Sequence, residues 1–157
     1  MADRTERQKV GYEILNTVIK FMSIDKITRN FGTDMPIYHS EIHMISSIAK
    51  HPGIHIGGLA DHLGITKGAV SEVVKKLERK KLVIKETDKH NLSKLSIFLT
   101  EKGKTAYKNH MKYHEIIDEI VEDELKNASN NDVRFLNTFL KGLRDRLDCF
   151  KQKIQEQ

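Results

Sequence analysis

The sequence predicts a mostly α fold carrying a two-stranded β-hairpin, in the order α-α-α-α-β-β-α-α. Apolar residues recur at three- and four-residue intervals through most of the chain, the spacing of one helix face. That period gives way to strand-like runs only between Leu82 and Leu99. Gly, Pro, Asn and Asp gather at the joints, where turn conformations call for them.

A first helix is expected over residues 6–30, with Val10, Ile14, Val18 and Phe21 on one stripe. Gly32 and Pro36 break it. Ser40 is the expected N-cap of a second helix reaching Lys50, with Ile42, Ile45, Ile48 and Ala49 inward. His51, Pro52 and Gly53 stop it. A short third helix covers residues 56–62 and ends at Gly64. Thr66 caps a fourth that reaches about Lys80, its inner stripe being Val70, Val73, Val74 and Leu77. Residues 82–87 and 94–99 read as strands joined by turn chemistry at 88–91. Thr100 caps a long helix to Lys126, residues 127–131 form a polar break, and a last helix covers 132–153.

A chain of 157 residues suits one domain or two small lobes. At 38% hydrophobic and 31% charged it has the composition of a soluble globular protein. No apolar run approaches the roughly 18 residues of a membrane span, and the charged N-terminus has no apolar stretch behind it. The single cysteine, Cys149, cannot form an internal disulfide, so a reducing cytoplasm is expected. The net charge is +5, unevenly placed: residues 66–104 hold eleven Lys/Arg against five Asp/Glu, and the remainder sums to −1. One contiguous quarter of the sequence thus carries the positive charge, as a footprint on phosphate requires.

That quarter begins with a helix-turn-helix pattern. Leu59, Ala60 and Leu63 face inward from the third helix, and small Ala60 lets the fourth cross closely. Gly64 permits a left-handed turn, and Ile65 is expected to plug the corner. With Val70, Val74 and Leu77 on the core, Thr66, Lys67, Gly68, Ala69, Ser71, Glu72, Lys75 and Lys76 are left to face a DNA major groove. Two amphipathic helices with a solvated basic face are the plainer reading of this pair. They would not explain the hairpin and fresh helix that follow at once, the parts of a winged helix-turn-helix.

The chain resembles the MarR family of regulators over nearly its whole length. The resemblance is clearest from Leu59 to Ser71, from Val74 to Val83, and in Leu99-Thr100-Glu101-Lys102-Gly103. It implies a homodimer that binds double-stranded DNA at a pseudo-palindrome, with a winged helix-turn-helix lobe at residues 36–100 and a helical dimerisation lobe at 1–35 and 101–157. The wing departs from the family's pattern. An Asp-Arg-Arg tip is usual there, and those positions are Asn91, Leu92 and Ser93. The nearby cations are Lys89, His90 and Lys94. A lysine ammonium is more strongly hydrated than a guanidinium, so the wing is expected to hold phosphates rather than enter the minor groove.

The last helix carries Leu136, Leu140, Leu143, Leu147 and Phe150 along one side. A single subunit cannot easily bury this stripe and that of the first helix, which points to a dimer interface. Cys149 beside it is expected to be a small buried filler.

Eight histidines are many for this length. His110 and His114 lie four apart on one helix face, a spacing that suits a metal ion. His39 and His43, also four apart, are on or just before the second helix. Asp25 falls on the apolar stripe of the first helix and needs a partner there. The zinc-responsive MarR members are similar at these positions, which implies one Zn(II) site made of His43, His110, His114 and Asp25, although that branch has Glu in place of Asp25. The branch's additional metal site is unmatched, because Phe31, Ile42 and Asn109 occupy its positions. Polar residues lining an interhelical cavity are the alternative.

The function expected is therefore a sequence-specific transcription regulator, a repressor, answering to a small-molecule or metal effector. A winged-helix protein-interaction or architectural DNA-binding module without operator specificity is the other reading. An enzyme is not expected: there is no nucleophile beside a base, no phosphate-cradling glycine loop and no catalytic carboxylate pair.

Overall fold

The computed structural model describes residues 4–87 and 95–155. Its elements are α1 (Arg4–Asp25), α2 (His39–Lys50), α3 (Ile56–Leu63), α4 (Lys67–Arg79), β1 (Val83–Thr87), β2 (Leu95–Leu99), α5 (Glu101–Leu125) and α6 (Asn130–Gln155). The order matches the expected one. The chain divides into two compact units between Lys112 and Tyr113.

In the first unit the core gathers Ile37, the inner faces of α2, α3 and α4, and the hairpin. Ile45, Leu59, Val70, Val74, Leu77 and Ile97 are fully buried within it. The strands are antiparallel, with Val83 opposite Leu99 and Thr87 opposite Leu95. Ile54 adds a single bridge to Ile97, so the segment before α3 lengthens the sheet edge by one residue.

Several boundaries differ from the sequence reading, each for a local reason. α1 stops at Asp25 rather than near Asn30, because Arg29 pairs with Ile37 across a backbone bridge instead of continuing the helix. α2 starts two residues earlier than a Ser40 cap allows. Tyr38 is the N-cap, and its backbone N–H donates to the Glu41 carboxylate at 2.9 Å. α6 begins at Asn130 because Ser129 and Asp132 cap each other: Ser129 N–H donates to Oδ2 of Asp132 at 3.0 Å, and Asp132 N–H to Oγ of Ser129 at 3.3 Å.

Two devices hold the end of α4. Lys80 donates to the Glu41 carboxylate at 2.6 Å and to the Pro36 carbonyl at 2.7 Å, above the Tyr38 ring. The Glu41 side chain is only 3% exposed and that of Lys80 14%. Glu41→Ala would leave a buried ammonium without its counter-charge, and we expect a stability loss of about 3 kcal/mol. Glu41→Leu combined with Lys80→Met should recover most of it, since neither charge is then buried. Urea unfolding of both variants checks this, and a single variant as stable as wild type would refute it.

The second device is a clamp from Thr100 and the first turn of α5 on three successive carbonyls. Lys102 Nζ donates to Lys80 at 3.1 Å, Thr100 Oγ1 to Lys81 at 2.7 Å, and Thr100 N–H to Leu82 at 3.1 Å. Thr100 Oγ1 also accepts from Gly103 N–H at 3.1 Å, which caps α5. Gly103 is buried against Leu82 with no room for a side chain.

The second unit comprises α5 from Tyr113 and all of α6. No described residue of α6 is buried, and the same holds for α1 in the first unit. Phe135, Leu136, Phe139, Leu140, Leu147 and Phe150 are all exposed on α6. Cys149 is exposed as well, so within one chain it is not the buried filler expected.

Candidate nucleic-acid interface and metal centre

α3 is started by His55, whose Nδ1 accepts from Gly58 N–H at 2.7 Å, and is ended by Gly64 in the left-handed region at φ 64°. A side chain there would strain the backbone, so glycine sets the sharp turn into α4. Ile65 does not plug this corner; it is 44% exposed, whereas Ala60 on α3 is buried. Thr66 accepts from Ala69 N–H at 3.2 Å and caps α4 as expected.

With Val70, Val74 and Leu77 buried, α4 turns the opposite face to solvent. Thr66, Lys67, Gly68, Ala69, Glu72, Lys75 and Lys76 are exposed, and Ser71 is half-buried. Among the described residues Lys80 and Lys85 are held in ion pairs with Glu41 and Glu78, whereas Lys67, Lys75 and Lys76 are in none. Their charge is thus available to an external anion. Lys89, His90 and Lys94 of the expected wing lie outside the described residues, as does the 88–91 turn.

A second cluster forms where α1 ends. Oδ2 of Asp25 lies 2.6 Å from Nε2 of His39 and 3.3 Å from Nε2 of His43. An Nε2–H tautomer of each ring donates to that one oxygen. The partner that Asp25 required is therefore a pair of histidines. Burial raises the Asp25 carboxyl, but the hydrogen bonds from His43 and His39, with their charge, outweigh it and hold it below the usual carboxylate range. The two imidazoles lie 4.4 Å apart between ring centroids. His110 is buried and packs edge-on to His43 at 5.7 Å and to Phe31 at 5.6 Å. Of the four residues that the resemblance implies, Asp25 and His43 thus share a hydrogen bond and His110 touches His43. His114 belongs to the second unit, where its ring adjoins Tyr113. His39 was legible only as half of a four-residue spacing.

Residues 38–91 match the model of the MarR family. The helix-turn-helix of this stretch is thus similar to that of the MarR family. Outside it the likeness to MarR proteins is one of fold. Streptococcus pneumoniae FabT, solved in complex with DNA, superposes with a TM-score of 0.70 at 21% identity, over 94% of this chain and 99% of that one. Lactococcus lactis ZitR, a zinc-responsive MarR member, gives 0.71 at 18% identity, over 90% and 98%. The adhesin competence repressor AdcR of Streptococcus pyogenes gives 0.66 at 17%, over 89% and 96%. No curated protein sequence matches the chain significantly. The α-α-α-α-β-β-α-α order thus matches the winged-helix fold of these structures. Among the described residues no helix is long and apolar enough to cross a membrane.

Proposed function

We propose that the protein is a homodimeric, cytoplasmic transcription regulator, a repressor, that reads a pseudo-palindromic operator with the outward face of α4 and is relieved or engaged by a metal effector. Residues 36–100 form its DNA-binding lobe, and residues 1–35 and 101–157 its dimerisation lobe. The observation that carries this reading is α4 itself: it is fixed at both ends, and its exposed face offers three lysines not neutralised by ion pairs among the described residues. The FabT complex shows that this fold engages DNA in a relative. Catalysis has no part in the reading. The effector is Zn(II), at a site that includes Asp25 and His43.

Fluorescence anisotropy on the protein's own promoter region and on random DNA, at one stated salt concentration, tests it. Lys67→Ala and Glu72→Ala should weaken operator binding about 5- to 100-fold more than random binding, the range of one good base contact. Lys89→Ala with Lys94→Ala should weaken both DNAs equally, because phosphate contacts carry no sequence information. A wild-type specificity ratio near unity would favour the architectural module instead.

A further inference from the structure

We propose that the metal site of this chain is built on Asp25, His39 and His43, with His39 as a ligand that the family resemblance does not supply. One oxygen and two ring nitrogens all lie within 4.8 Å of one another. Zinc takes nitrogen and oxygen donors at about 2.0–2.2 Å, so tetrahedral ligand atoms sit about 3.4 Å apart. The two short contacts to Asp25, at 2.6 and 3.3 Å, already lie at or inside that separation, so an ion is seated by small side-chain rotations. His39 and His43 are four residues apart on α2, so one helix face presents both Nε2 atoms.

The setting favours a cation. Asp25 is the last residue of α1, whose final turn holds no basic residue, so its carboxylate adds to the negative end of the helix dipole. Positive charge is therefore wanted there. The carboxylate is largely enclosed at 14% exposure, while His39 and His43 are 45% and 41% exposed. An ion would be anchored from the protein side and reached from solvent, with a fourth position left to water, the arrangement an exchangeable site requires. His110 then acts as a positioning residue: its buried ring packs against the edge of the His43 ring and limits its rotation. Two imidazoles and one carboxylate suit Zn(II).

The site rests on the proposed function only for its regulatory consequence, since metal binding is measured without DNA. Full-length protein titrated with Zn(II) in a competition assay should bind one ion per subunit, and Co(II) should give the visible bands of a four-coordinate site. His39→Ala should weaken both ions at least 10-fold, with the apo protein's circular dichroism unchanged, because His39 is exposed in the first turn of α2. His114→Ala should leave affinity within about 3-fold of wild type, a margin smaller than the effect of losing a ligand. Wild-type affinity in His39→Ala overturns the proposal, and so does a wild-type protein that takes up neither ion. Either result would leave the operator measurements, made in the presence of a chelator, to judge the DNA-binding reading separately.

Discussion

Replacing Gly103 by alanine destabilises the first unit, although alanine is the better helix former. Propensity alone would make the exchange favourable by about 1 kcal/mol in a helix interior. A Cβ at Gly103, however, lands on the carbonyl oxygen of Leu82, with the Leu82 carbonyl carbon and Leu99 close behind. The obstacle is backbone, and that same oxygen accepts from Thr100 N–H. It cannot rotate aside as a side-chain tip would. We therefore expect a net loss at or above the upper end of the ~1–3 kcal/mol usual for overpacking. Gly142→Ala is the control, because nothing lies within 4 Å of a Cβ there and α6 should gain a few tenths to about 1 kcal/mol. Urea unfolding followed by circular dichroism separates the two. A stabilised Gly103→Ala protein would mean that the clamp yields freely.

On the proposed function, Leu140→Asp with Leu147→Asp should give a folded monomer that no longer holds its operator tightly. Both side chains are exposed in the single chain, at 44% and 56%, so little intramolecular packing is lost. If the α6 face closes a dimer, two carboxylates there must be desolvated without partners, which costs several kcal/mol at each site. Light scattering should report one subunit's mass of 18.1 kDa for the variant and twice that for wild type. Operator affinity should fall by about 10²-fold or more, since linked half-site binding becomes two separate events. Helicity should be retained. A variant that stays dimeric would place the interface on another face.

The parts of the fold that the sequence made legible are those set within a few residues. Thr66 three residues before Ala69, Gly64 between two helices, and Thr100 before Gly103 all announce themselves locally, and all stand where expected. Ser40 misled because a carboxylate, Glu41, satisfied the preceding backbone N–H and moved the cap to Tyr38. The Lys80–Glu41 pair joins residues 39 apart, and no periodicity marks such a partnership. The Asp25–His39–His43 cluster shows both sides of this. That Asp25 needed a partner followed from its place on an apolar stripe. Which side chains supply it depends on how the 26–38 segment folds back, and this brings His39 alongside His43. Ile65 shows the opposite failure: an apolar residue in a tight corner looked like core, but the turn directs it outward.

The carbonyls of Lys80, Lys81 and Leu82 are gripped by Lys102 and by the side chain and backbone of Thr100. None of these contacts involves a residue of the exposed α4 face. If α4 reads DNA as proposed, how it is mounted is therefore independent of what it reads. A gene copy could exchange Lys67, Ser71 or Glu72 and acquire a new target sequence while its scaffold stays under unchanged selection. In a duplicated lineage, target choice and structural integrity could then drift at separate rates, the first quickly and the second hardly at all.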